Sequence, residues 1–137
     1  MTGWVVCAAV LVMASAFGVL HRKRNGRVRV RVRDGEVLLG ATELGESLGE
    51  RATLLQFSSA FCAPCRATRR VLDEVAGMVP GVAHVEIDAE ARLDLVRRLG
   101  ILKTPTVLVL DADGRIVRRA VGQPRKADVI AALGEAV

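Results

Sequence analysis

Apolar positions recur along this chain in three rhythms, and each predicts a different kind of element. Residues 4–20 are almost entirely apolar, and no charged side chain occurs before Arg22. Such a run of 17 residues sits at the lower limit for a helix that crosses a bilayer. Residues 27–33 alternate arginine with Val28, Val30 and Val32. A period of two puts the valines on one face of a half-buried strand. Asp34-Gly35 then reads as a tight turn into residues 36–39, so a hairpin is expected. Residues 41–49 predict a short helix capped by Thr42, with Leu44 and Leu48 four apart. Residues 52–57 read as a buried strand. Residues 63–79 read as a helix whose apolar side holds Val71, Leu72, Val75 and Met78, stopped by Pro80-Gly81. Residues 82–87 alternate as a strand, and residues 91–99 place Leu93, Val96 and Leu99 on one helical stripe closed by Gly100. Residues 106–110 are a continuous apolar run, the pattern of a strand covered on both faces. A hairpin turn at 111–114 leads to a strand over 115–121, and a closing helix occupies 126–137. Strands alternating with helices predict an α/β domain with a parallel sheet, to which the late hairpin adds an antiparallel edge.

Charge sharpens the division of the chain. Seven basic residues lie between 22 and 33 with no acid among them. From Asp34 onward there are 13 Lys/Arg and 15 Asp/Glu, a balance of −2, so the net charge of +5 belongs to the arm. A nucleic-acid-binding face on the body is therefore not indicated, and the few aromatics do not interleave with basic residues for base stacking.

Three readings compete for the N-terminal apolar run. A signal peptide would carry positive charge ahead of its apolar core, and here there is none beyond the start amine, although Ala14-Ser15-Ala16 resembles a small-residue cleavage site. A buried core helix would need a partner surface, and no other segment is left over to supply one. A single membrane anchor fits best. The Lys/Arg excess after it predicts that this side, and the domain beyond it, stays in the cytoplasm. The basic arm reads first as a stop-transfer cluster and second as a contact for anionic headgroups. The expected organisation is a transmembrane anchor at 1–21, a basic juxtamembrane arm at 22–35 and a globular domain at 36–137.

The cysteines carry the chemistry. Cys7 lies in the apolar run, and Cys62 and Cys65 are the only two in the body. Phe61-Cys62-Ala63-Pro64-Cys65 stands between a strand and a helix, which puts Cys62 at a helix N-terminus. Free N–H groups and the positive dipole end stabilise a thiolate there, and a lowered thiol pKa makes a cysteine reactive near neutral pH. Cys65 lies one turn on, close enough to close a disulfide, so a cycling dithiol is expected. Half of a zinc site is the bland alternative. Zinc needs about four ligands, and Cys7, His21 and His84 do not form a second pair, so no metal is expected.

Lys103-Thr104-Pro105-Thr106 opens a strand about forty residues after the cysteines. A proline there is unfavourable unless it occupies a special position. This arrangement resembles the thioredoxin family, over residues 52–137. The matching stretches are Leu55-Gln56-Phe57-Ser58, Phe61 to Arg66, Val85-Glu86-Ile87-Asp88, Thr104-Pro105-Thr106 and Ala120-Val121-Gly122. The resemblance implies a thioredoxin fold, a central mixed sheet flanked by helices. It implies that Pro105 is a cis-proline facing the disulfide and that Thr104 presents its backbone to a bound peptide. Phe61 replaces the usual Trp as an apolar lid, and Ala63 replaces Gly. Gln56 occupies the position of a buried acid that moves a proton to or from the second cysteine. Gln cannot titrate, which predicts slow turnover and a faster second step in Gln56→Asp. His84 falls where the family often has a buried Lys. It reads first as an ordinary strand histidine and second as a substitute proton carrier, so Gln56, His84 and Pro64 are candidate tuning residues. Glu86 is expected to face solvent.

The expected activity is thiol–disulfide exchange. Cys62 attacks a partner's disulfide, and Cys65 resolves the mixed disulfide. Protein disulfides are the substrates, an external thiol reductant regenerates the dithiol, no cofactor beyond the Cys62–Cys65 disulfide is needed, and a monomer is expected. Two alternatives stand beside this one: a tethered binding or redox-sensing module without catalysis, and an extracytoplasmic reductase acting on apocytochromes or secreted proteins.

Overall fold

The computed structural model describes residues 1–24, 28–29 and 38–137. Helix α1 (Thr2–Arg24) is followed by β1 (Val28–Arg29), α2 (Ala41–Leu44), β2 (Ala52–Ser58), α3 (Ala63–Met78), β3 (Val82–Asp88), α4 (Leu93–Leu99), β4 (Thr106–Asp111), β5 (Ile116–Val121) and α5 (Lys126–Ala136). The sheet runs β1-β5-β4-β2-β3.

Strand β2 is buried along its whole length because both faces are covered. Leu55 and Phe57 point into a cluster with Leu44, Val85, Ile87, Leu95, Leu99 and Leu108. Ala52 and Leu54 alternate to the opposite face, where Leu72 and Val75 of α3 meet Val129 and Leu133 of α5. Alternation across one strand therefore serves two cores. Each fully buried large side chain here contributes about 1.5–3 kcal/mol.

The sheet is mixed, as the family resemblance implied, but its parallel part is smaller than the strand–helix alternation suggested. Among the described strands only β2 and β3 run parallel, with Leu55 opposite Val85. Strand β4 is antiparallel to β2, with Leu108 opposite Leu55, and β5 is antiparallel to β4. After α4 the chain passes to the far side of β2 and enters the sheet reversed.

Several elements differ from their sequence patterns. Helix α2 stops at Leu44 rather than Gly49, because Gly45 turns into the left-handed region at φ 77°. Its cap is Gly40 rather than Thr42, with no side-chain bond. Helix α4 begins at Leu93, whose side chain is exposed; Leu95 and Leu99 are the buried pair. Met78 at the end of α3 is exposed as well, leaving Leu72 and Val75 as the buried apolar side. The turn at 111–114 forms as expected, and Gly114 is required there at φ 87°, where a Cβ would lie 2.1 Å from the Leu39 carbonyl oxygen. Most of the expected hairpin over 27–39 lies outside the described residues. Of its two ends, Val28–Arg29 pairs antiparallel with β5, and Leu38 bridges Arg115.

Helix α1 is long and apolar enough to cross a membrane, with a mean hydropathy of 2.2 over Thr2–Arg22, and none of that stretch is buried against the domain. Trp4, Leu11 and Phe17 stand exposed along it, as does the free thiol of Cys7.

Candidate active site

The site forms where β2 runs out. After Ser58 the chain turns through Phe61, which holds a left-handed φ of 58°, and reaches Cys62. Cys62 is the N-cap of α3, in an extended conformation, and its sulfur accepts the backbone N–H of Cys65 at 3.2 Å. A helix start leaves its first N–H groups unpaired, so the sulfur takes a place that Ser or Asp oxygen fills elsewhere. Pro64 sits in the first turn, where its missing N–H leaves no bond unmade. The two sulfurs are 2.19 Å apart and bonded.

The two cysteines are not equivalent. Cys65 is 2 % exposed, whereas Cys62 is only half-buried. An incoming disulfide can therefore reach Cys62 and not Cys65. The helix dipole also favours negative charge at the Cys62 end.

Opposite the pair, the Thr104–Pro105 peptide bond is cis. Ser59 and Thr104 share a hydroxyl hydrogen bond at 2.8 Å, which ties the cysteine loop to the proline loop. On the far side Gly122 N–H donates to the Pro105 carbonyl at 2.8 Å. Pro64, Lys103, Thr104, Pro105 and Gly122 line one cleft of about 1030 Å³, bordered by Val19 and Arg22 at the end of α1. Phe61 is not part of that lining. Its ring is 103 % exposed, so it projects rather than covering the disulfide as a lid.

Behind Cys65 the structure gathers a polar chain. Gln56 is completely buried, and its amide nitrogen donates to the Cys65 carbonyl at 2.8 Å and to Ser58 Oγ at 2.9 Å. Its Oε1 faces His84 Nε2 at 3.1 Å, and His84 Nδ1 faces Asp73 Oδ1 at 2.6 Å. His84 is thus no ordinary strand histidine: its side chain is 8 % exposed and engaged at both ends. Glu86, expected to face solvent, is partly covered and paired with Arg69 at 2.5 and 2.6 Å. The hydrogen bond to Glu86, and then its charge, push the Arg69 pKa upward. Among the described residues no group of His, Cys, Asp or Glu is placed to hold a metal ion.

Sequence reasoning placed Cys62, Cys65, Pro64, Thr104 and Pro105 in one neighbourhood and Gln56 with His84 behind them. It missed Asp73, Ser58 and Ser59, and it missed Leu102, whose side chain stands 98 % exposed just before the proline loop. A signal for Asp73 did exist. Arg69 and Asp73 are four apart on one helix face, and His84 and Glu86 are two apart on one strand face, so the two pairs can meet only together.

A sequence model of the Thioredoxin family matches residues 41–135. Thioredoxin of Mycolicibacterium smegmatis is 31% identical over 90 residues, covering 64% of this chain and 80% of its own length. Thioredoxin of Bacillus subtilis is 32% identical over 80 residues, 57% of this chain and 76% of that protein. Among solved structures, a mutant thioredoxin of Halobacterium salinarum superposes with a TM-score of 0.58 at 22% identity, covering 64% of this chain and 75% of its own, and so shares the fold. A cysteine pair with one reachable and one buried sulfur, on this fold and within this family match, places the chain in the thioredoxin family as a thiol–disulfide oxidoreductase.

Proposed function

We propose that this protein reduces disulfides of partner proteins at a membrane surface. The observation that carries the reading is the helix-capping Cys62, partly exposed, with Cys65 buried one turn behind it and the cis Thr104–Pro105 loop tied to the cysteine loop by the Ser59–Thr104 hydrogen bond. The Cys62 thiolate attacks one sulfur of a partner disulfide, and the partner's other sulfur leaves as a thiolate that takes up a proton. Cys65 then loses its proton and attacks the Cys62 sulfur. The Cys62–Cys65 bond forms, and the second partner thiolate departs and is protonated. Two electrons have passed from dithiol to partner. An external thiol reductant restores the dithiol by the same exchange in reverse. Thr104 and Pro105 take the substrate-facing role, with Phe61 a further contact. Of the roles anticipated for Gln56 and His84, tuning is favoured over proton transfer, since Gln56 touches the Cys65 carbonyl and cannot titrate.

Cys65→Ser tests this directly. The variant should accumulate mixed disulfides with partner proteins through Cys62, and the intact protein should accelerate insulin reduction by dithiothreitol. A variant that traps no partner, with insulin reduction no faster than the dithiothreitol background, would refute the reading and favour a non-catalytic module. The membrane location rests on α1 as a single span, followed by an arm with seven basic residues between 22 and 33 that favours a cytoplasmic domain. A C-terminal reporter active only outside the cytoplasm should stay silent; a strong signal would place the domain outside and favour the extracytoplasmic reductase.

A further inference from the structure

Hydrogen-bond bookkeeping behind Cys65 has only one solution. The Cys65 carbonyl can only accept, so the Gln56 atom 2.8 Å from it must be the amide nitrogen. The amide oxygen is then the atom turned toward His84 Nε2. An amide oxygen only accepts, so Nε2 must carry a hydrogen. At the other end of the ring, Nδ1 lies 2.6 Å from Asp73 Oδ1, and a carboxylate also only accepts. The chain from Asp73 to Cys65 is therefore complete only when both ring nitrogens are protonated.

Removing either proton breaks one link. If Nε2 loses its hydrogen, two acceptors face each other. Turning the Gln56 amide over repairs that contact, but it points the oxygen at the Cys65 carbonyl and undoes the next one. If Nδ1 loses its hydrogen, the ring faces the carboxylate with a lone pair.

We infer that Asp73 and His84 are positioning residues for Cys65, acting through Gln56 and only while the His84 ring is doubly protonated. The inference rests on the thiol–disulfide reading above. A doubly protonated ring has no lone pair, so His84 in this state is not the base that takes the Cys65 proton. Its part is to complete the donor chain on the first turn of α3, and a hydrogen bond from a charged donor is about twice as strong as a neutral one. Among the described residues, these charged groups face the chain. From α3 they are Asp73 and Arg69, from β3 itself Glu86, which Arg69 binds, and from β2 only the uncharged Gln56. Among the described strands, β3 lies at the end of the sheet order.

The test is a single-turnover measurement on the full chain in detergent. The probe is Cys62 carrying thionitrobenzoate as a mixed disulfide; Cys65 attacks and releases the coloured thiol. Rates are taken from about pH 5 to pH 9. His84→Gln keeps a donor toward Gln56 but does not titrate. Cys65 ionisation is followed separately in each protein by thiolate absorbance, and each rate is divided by the thiolate fraction before the wild-type to His84→Gln ratio is taken. That ratio should be about two- to tenfold higher at the acid end of the series than at the alkaline end, the loss of one hydrogen bond. Asp73→Ala, at an exposed position, should lose the same acid-side advantage even if His84→Gln folds poorly. Glu74→Gln removes a carboxylate from the same helix that pairs with Lys126 instead, and it should follow wild type. A ratio flat with pH, or Asp73→Ala indistinguishable from wild type, overturns the inference while leaving the exchange chemistry standing. Failure of wild type to release the thiol at any pH would instead defeat the underlying reading.

Discussion

Phe61 holds a left-handed backbone conformation immediately before the attacking cysteine. A residue with a Cβ gives up roughly 1–2 kcal/mol there, and Gly would recover part of it against its own entropy cost of about 0.5–1 kcal/mol. Phe61→Gly should therefore keep or slightly raise stability in urea denaturation, while the KM for a protein disulfide rises through loss of the exposed ring. Gln56 yields a second residue-scale outcome. Gln56→Asp supplies a titratable acid, and its resolution step should quicken in single turnover. The same change removes the donor to the Cys65 carbonyl, so denaturation should show a loss of about 1–3 kcal/mol. The departure from an acid at Gln56 was visible in the sequence only through the family resemblance, which puts an acid six residues before the first cysteine. The partners that give it meaning were not, since Cys65 is nine residues away and His84 twenty-eight.

Helix α3 is the element on which the site depends. It presents its N-terminus to the dithiol and packs Leu72 and Val75, both fully buried, against β2, β4 and α5. Leu72→Ala should cost about 2–5 kcal/mol in chemical denaturation. The cysteine pair itself would be untouched, so a larger effect on stability than on the rate of folded protein is expected. Surface charge matters less. The Arg69–Glu86 pair is partly exposed on both sides, and Glu86→Ala should cost no more than about 1 kcal/mol. Long, strongly periodic elements such as α3 and β2 were legible to within a residue or so at each end. The short ones were not. Helix α2 ends where Gly45 adopts φ 77°, and α4 turns Leu95 rather than Leu93 inward, because the face a short helix buries is chosen by the sheet it lands on.

At the scale of the whole molecule, both apolar clusters lie within residues 39–136, and the Thr2–Arg22 span contributes nothing to them. Deleting residues 1–24 should leave the denaturation midpoint unchanged and move the protein from the membrane fraction to the soluble one; a large destabilisation would show that α1 belongs to the fold.

Local pattern was enough to predict a cysteine pair at a helix start and an apolar segment set apart from a nearly neutral body, and the family resemblance added Thr104-Pro105, because each is written within a few adjacent residues. The antiparallel entry of β4, the burial that separates Cys62 from Cys65, and the chain from Asp73 through His84 and Gln56 were decided only by packing. Each of these depends on which distant segments come to share one face of the sheet, and no single stretch of sequence holds that information.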